Sequence, residues 1–333
     1  MRKIPVLFLF LFVLLATGAC RRGQPNVVLI TFDTTRADHI GYAIGREGLT
    51  PNLDRLAAGG TWFSTAVAVQ PLTAPSHGSI LTGRYPFHHG LRNNGGYVLG
   101  EESVTITERL KQAGYATHAI VSSFVLDSQF GFDQGFDSYD DDLRGSKISA
   151  KFMFREIPAD RVADKALAWL NEKRPKEQPF FLWLHFYDPH ADWAPPKEIA
   201  AKFPDDPYSG EIHFADQQLG RVLDRIGEFG LHDDTLYVFT ADHGESLGDH
   251  GEKTHGIFIY DATTRVPLFL RGPGVPEGRV DAVVRSVDIV PTLAELLDLP
   301  AGGDVDGASL VSLMKGKEEA EGRIAYSESF APL

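Results

Sequence analysis

Cysteine occurs once in 333 residues, and methionine three times. A single thiol excludes a disulfide framework and any zinc site assembled from several thiolates. Positive charge is also short: 32 Lys and Arg stand against 45 Asp and Glu, a formal net charge of −13. Such a balance argues against nucleic-acid binding, which draws on basic patches to neutralise phosphates. It admits an anionic substrate only where a metal or local groups reverse the field. No P-loop and no G-x-G-x-x-G stretch appears, so the usual nucleotide cradles are missing. The one long apolar run, Ile4 to Leu15, falls short of the roughly 20 residues that a bilayer-spanning helix needs.

What is present is an ordinary globular composition, 43% hydrophobic, 23% charged and 11% aromatic. The length suits one large α/β domain or two modest ones. Arg2 and Lys3 precede the apolar run, and Ala16-Thr17-Gly18-Ala19 leads into Cys20. Residues 1–20 thus read as an export signal whose end resembles a bacterial lipobox, with Thr17 in place of the usual Leu. The lone cysteine then becomes the lipidated first residue of the mature protein. That places it at the cell envelope, in the periplasm or on the cell surface, held to the membrane through Cys20.

From Pro25 onward strand-like and helix-like segments alternate without an internal repeat. Asn26 to Phe32 (NVVLITF), Ala116 to Val121, Phe180 to Phe186 and Thr235 to Thr240 are near-continuous apolar runs. Strands buried on both faces have this character. Among them lie a helix from Thr50-Pro51 to Gly59-Gly60, an amphipathic helix carrying Val162, Leu167, Trp169 and Leu170, and a longer one from about Glu211 to Phe229. The alternation predicts an α/β fold with a mainly parallel central sheet flanked by helices on both faces. Active sites in such sheets lie beyond the carboxyl ends of the strands, and Asp33, Asp188 and Asp242 stand at or just past such ends.

Asp33 follows NVVLITF directly, and Asp242-His243-Gly244 follows TLYVFT. Carboxylate oxygens and an imidazole nitrogen suit Zn²⁺, Mn²⁺ or Mg²⁺, and Ca²⁺ less well. An Asp at a strand end also serves as a helix cap. The segment Pro71 to Arg84 puts Pro75 early in a helix running to about Gly83, with Thr73 just before its N-terminus. Free N–H groups there favour an anion, and a metal-coordinated hydroxyl can act as a nucleophile; a simple N-cap is the other reading of Thr73. Asn94, before Gly95, is either a donor to a phosphoryl oxygen or a turn residue.

NVVLITFDTTRADHIGY, TAPSHGSILTGRYPFHHGLRNNG, LHFYDPHADWAPP and TADHGESLGDHGEKTHG, in this order within residues 25 to 330, resemble the sulfatase family of the alkaline-phosphatase superfamily. The resemblance implies an α/β sandwich whose metal is held by Asp33, Asp242 and His243, with Thr73 as nucleophile and further ligand. His190 resembles the family's substrate-binding or leaving-group His. Lys253 and His255 fall about where the family places a Lys on the substrate oxyanion. Asp188, His190 and His255 offer donors for a second metal, as in two-metal phosphodiesterases.

Two departures from the family pattern matter. Sulfatases carry C-x-P-S-R, with a Cys or Ser oxidised to formylglycine, whereas this chain reads Thr73-Ala74-Pro75-Ser76-His77. Thr cannot become that aldehyde, and His77 replaces the supporting Arg; Thr nucleophiles belong to the phosphodiesterase and phosphotransferase branches. Asp33-Thr34 also stands where sulfatases often have Asp-Asp, which disfavours Ca²⁺.

The expectation is an exported, metal-dependent hydrolase that cleaves phosphoric (or sulfuric) esters through a covalent Thr73 ester. Its substrate would be a small anionic ester or a sulfated or phosphorylated glycan or lipid. A phosphoglycerol or phosphoethanolamine transferase on envelope glycans or lipids, and a non-catalytic binding lipoprotein, compete with that reading. Toward the end, Ile289 to Leu297 and Leu310 to Met314 read as helices and Arg323 to Ser327 as a strand. The family continues into a small C-terminal antiparallel sheet. Residues 21–333 are therefore expected to be a catalytic domain truncated at its C-terminus, with that last strand left unpaired.

Overall fold

The computed structural model describes residues 23–144, 147–148, 155–300, 302, 304–319 and 321–330. The export-signal reading and Cys20 lie outside the described residues. The strands are β1 (Asn26–Phe32), β2 (Thr61–Val67), β3 (Ala116–Ile120), β4 (Ser138–Asp140), β5 (Lys147–Ile148), β6 (Arg155–Glu156), β7 (Phe180–Phe186), β8 (Thr235–Ala241), β9 (Arg265–Arg271) and β10 (Gly278–Arg285). One eight-stranded sheet has the order β10-β2-β9-β8-β1-β7-β3-β4, and β5 with β6 makes a separate ribbon. Pairing is parallel from β8 through β4 and between β10 and β2; β9 alone runs antiparallel to both its neighbours.

Every residue of β1, β7 and β8 is buried, as their apolar runs require. Helices cover both faces. One core layer joins Ile80, Leu110 and Leu293, and the other joins Leu56, Val162 and Leu219. β2, β9 and β10 were not anticipated. β2 and β10 each carry polar or charged residues at partly exposed positions, so neither forms a continuous apolar run.

Helix ends differ from their local signals in instructive ways. The helix Pro207–Glu228 starts ahead of its apolar repeat because Asp206 accepts the Ser209 N–H and Pro207 opens its first turn. Thr50 does not cap the helix Pro51–Ala58: its hydroxyl donates to Asp54 Oδ1 at 2.7 Å and accepts the Gly41 N–H at 2.8 Å. Asp216, from the long helix, takes the N–H groups of Asn52 and Leu53 instead.

The Arg323 to Ser327 segment is not a strand. It lies beyond the end of β2, where the Ser327 hydroxyl donates to the Ala68 carbonyl and the Glu328 N–H to the Val69 carbonyl. Those contacts do not build a ladder, and Ile324 faces water at 83% exposure. No helix among the described residues is long and apolar enough to cross a membrane.

Candidate metal and catalytic site

Parallel register pairs Phe32 of β1 with Ala241 of β8, so Asp33 and Asp242 leave the sheet side by side. Thr34 turns the chain with φ of +48°, a left-handed conformation that a β-branched residue adopts only under strain. That turn places its N–H 3.1 Å from Asp242 Oδ1, which also accepts the His243 N–H at 2.8 Å. Gly244 follows because a Cβ there would stand 2.1 Å from the Ala262 carbonyl oxygen.

Asp33, Asp242 and His243, all buried, each bring a ligand atom within 4.8 Å of the others. His243 Nδ1 donates to the Gly244 carbonyl at 2.9 Å, which leaves the Nε2 lone pair available. Asp33 Oδ1, Asp242 Oδ2 and His243 Nε2 are buried without a hydrogen-bond partner among the described residues. Burial, and then the charge of Asp242, holds the Asp33 carboxyl well above its usual range. Idle donors of this kind are costly unless a cation takes them up. The oxygen-and-imidazole set therefore fits a divalent metal.

Thr73 is the first residue of the helix Thr73–Thr82, and no side chain caps that helix from Leu72. Asn94 Oδ1 takes the Ala74 N–H at 2.8 Å. The N-cap reading of Thr73 therefore fails: its hydroxyl points across to Asp33 Oδ2 at 3.3 Å. His77, one turn on, donates from Nδ1 to the Thr73 carbonyl at 2.9 Å, while its Nε2 accepts the Thr31 hydroxyl at 3.1 Å. Burial pushes the His77 pKa down to about 3. It is a neutral group and does not replace the charge of the family's Arg.

His255 packs against His243 with ring centroids 4.4 Å apart, and His190 against His255 at 5.0 Å. His255 Nδ1 lies 3.4 Å from Glu245 Oε2; burial pushes the Glu245 carboxyl up to about 7. Lys253 is exposed and makes no hydrogen bond or ion pair among the described residues, so His255 is the one of the two that reaches the centre. The second-metal set is not assembled. Asp188 Oδ1 instead accepts the Ala159 N–H at 3.0 Å, at the start of the helix Ala159–Ala168, and the Asp33 group is the only one of its kind among the described residues.

Two contributors were missed. His185 Nε2 stands 3.3 Å from Asp33 Oδ2, and its Nδ1 accepts the Ser122 N–H at 3.3 Å, which fixes the tautomer. The available signal was its place as the one titratable residue in FFLWLHF. Arg36 ties the turn after β1 to the loop after β8, donating to the Glu245 carbonyl and to Asp249.

The sulfatase family model matches residues 25–299. The chain belongs to the sulfatase family. An arylsulfatase of Clostridium perfringens is 27% identical over 381 residues, covering 88% of this chain and 79% of that protein. The N-acetylglucosamine-6-O-sulfatase of Bacteroides thetaiotaomicron is 25% identical over 452 residues, covering 98% and 78%. In fold, the phosphonate monoester hydrolase of Agrobacterium radiobacter superposes with a TM-score of 0.73 at 22% identity, covering 90% of this chain and 79% of that one. The mainly parallel sheet with helices on both faces is thus the sulfatase architecture.

Proposed function

We propose that this sulfatase-family protein is a metal-dependent esterase that attacks phosphorus in preference to sulfur, with Thr73 as nucleophile. The observation that carries the reading is the Thr73 hydroxyl, at the first turn of a ten-residue helix and directed onto Asp33 at 3.3 Å. A divalent cation bound by Asp33, Asp242, His243 and Thr73 would neutralise the carboxylates and acidify the hydroxyl. Asp33 orients that hydroxyl. The Ala74 N–H is held by Asn94 Oδ1, Pro75 has no N–H and the Ser76 N–H bonds the Leu72 carbonyl, so the phosphoryl oxygens fall to side chains rather than to the helix amides. The Asn94 amide nitrogen donates to the same oxygens.

Thr73 Oγ1 forms the bond to phosphorus, the ester oxygen departs, and water then opens the Thr73 ester. Burial pushes the His190 pKa down to about 3 and holds His255 well below its usual range, so both rings are neutral and act as hydrogen-bonding groups rather than as charged ones. His77 positions the Thr73 carbonyl. Because Thr cannot yield formylglycine, the sulfatase aldehyde route is closed to this chain. The substrate is a phosphorylated small molecule, glycan or lipid.

A panel of phosphate monoesters, phosphate diesters, phosphonates and aryl sulfates, assayed with Zn²⁺, Mn²⁺, Mg²⁺ or Ca²⁺, tests this. The phosphorus esters have the higher kcat/KM, with or without a co-expressed formylglycine-generating enzyme. A preference for aryl sulfate overturns the reading. We further propose an envelope lipoprotein anchored at Cys20, which metabolic labelling with palmitate checks: the label is lost in Cys20→Ala.

A further inference from the structure

We propose that the Tyr208 hydroxyl positions the metal ligands, by clamping the turn that follows Asp33 and aims the Asp242 carboxylate. This rests on the assignment of Asp33, Asp242 and His243 as ligands, and extends it to a residue that shares no hydrogen bond with any of them. Tyr208 stands in the first turn of the helix Pro207–Glu228 and is 2% exposed. Its hydroxyl donates to the Thr34 carbonyl at 2.6 Å and accepts the Arg36 N–H at 2.9 Å. One phenol oxygen thus grips the turn at two points, which requires a group that both donates and accepts. Burial holds the Tyr208 pKa well above its usual value, so the proton for the first of these bonds stays in place.

The turn needs such a grip. Thr34 holds its φ of +48° although its own hydroxyl is buried without a hydrogen-bond partner among the described residues. A β-branched residue keeps this conformation only where its surroundings impose it. The Thr34 N–H is what meets Asp242 Oδ1 at 3.1 Å, and it leaves Oδ2 idle for a cation. The Tyr208 ring also packs edge-on against His39 and against Trp193, whose Nε1 donates to the Pro189 carbonyl beside His190. The ring therefore supports the loops after β1 and β7, while the hydroxyl acts on the Thr34 turn alone. Without that hydroxyl the turn relaxes and the Asp242 carboxylate loses its fixed direction, with the sheet left intact.

Tyr208→Phe removes the hydroxyl and keeps the ring. In the full chain, Zn²⁺ affinity measured against a chromophoric chelator is expected to fall about tenfold, the lower end of what a ligand's supporting contacts contribute. Turnover at saturating Zn²⁺ stays near that of the wild type. In the metal-free protein, hydrogen exchange of the peptide spanning Thr34 becomes faster, because the local opening of the turn costs less. Tyr237→Phe is the control: that buried hydroxyl bonds His232 near the amino end of β8, so its loss weakens the fold without reaching the turn. Both readouts keep wild-type values there. Unchanged Zn²⁺ affinity or unchanged exchange in Tyr208→Phe overturns the inference, as does an equal loss in Tyr237→Phe or loss of native circular dichroism in Tyr208→Phe. If the wild type takes up no Zn²⁺, the ligand assignment has failed, and exchange alone decides: faster exchange at Thr34 in Tyr208→Phe supports the clamp, and unchanged exchange overturns it.

Discussion

His77 Nδ1 donates to the carbonyl oxygen of Thr73, four residues earlier on the same helix, at 2.9 Å. The Thr31 hydroxyl supplies the proton on the other side of the ring, and Trp183 Nε1 donates in turn to that hydroxyl at 3.0 Å. The position that carries a charge in formylglycine sulfatases is here a neutral brace on the backbone of the proposed nucleophile.

Thr73→Ala is expected to lower kcat by about a thousandfold or more, whereas Thr73→Ser retains measurable turnover. Acid-quenched wild type carries a phosphoryl group on the peptide containing Thr73, detectable by mass spectrometry. Near wild-type rates in Thr73→Ala would mean that water attacks directly.

Asp242→Ala removes the carboxylate that organises both the Thr34 and His243 amides. Purified variant is expected to contain no stoichiometric metal by elemental analysis while its far-ultraviolet circular dichroism stays native. Full metal occupancy contradicts the ligand assignment.

His185→Phe withdraws the donor that faces Asp33 Oδ2, which a glutamine would keep. Metal affinity falls by about 10- to 100-fold, the usual effect of losing a ligand's supporting hydrogen bond, and kcat at saturating metal recovers most of its value. Competition with a chromophoric chelator measures the first quantity and steady-state kinetics the second.

The parts of this molecule that were readable from sequence are those governed by local chemistry. β1, β7 and β8 announce themselves because burial on both faces demands unbroken apolar runs. Asp33 and Asp242 follow from standing at the ends of two of them. Partners distant in the chain were not readable. Thr73 has the local signature of an N-cap, and only the fold puts Asp33 within reach of its hydroxyl. Thr50 likewise has a cap's sequence context, but the role falls to Asp216, 163 positions from Leu53. Lys253 and His255 were equivalent by spacing until the loop turned one outward and one inward.

Asp216 accepts the Leu53 N–H at 2.8 Å, the Asn52 N–H at 3.1 Å and the Asn52 side-chain amide at 3.0 Å. Asp216→Ala leaves those donors unpaired at the mouth of the helix and is expected to cost about 2–3 kcal/mol. Asp216→Asn, which keeps an acceptor, costs less. Urea unfolding of the two variants against wild type measures the difference.

His118 stacks on Trp169 with centroids 4.9 Å apart, and burial pushes its pKa down to about 4. Its folded pKa lies below the unfolded value, so the unfolded chain binds the extra proton as pH drops. The stability that neutral His118 confers is complete above pH 6.5 and is lost as pH falls toward 4. Between pH 7 and pH 5 that amounts to about 2 kcal/mol. His118→Phe should flatten the pH dependence of the urea midpoint by that amount.

The adjacency of β1 and β8 has a temporal side. Thr34 and the Asp242 carboxylate that it contacts are separated by 208 positions, so the two halves of the metal cluster leave the ribosome far apart in time. A nascent chain displays Asp33 long before it owns the other carboxylate or the imidazole, and captures no ion with the finished set until β8 has slotted in beside β1. Under the proposed ligand assignment, metallation is a late event in the life of each molecule. The same arrangement would make a bound ion a clasp, fastening the first strand of the sheet to one made some two hundred residues later.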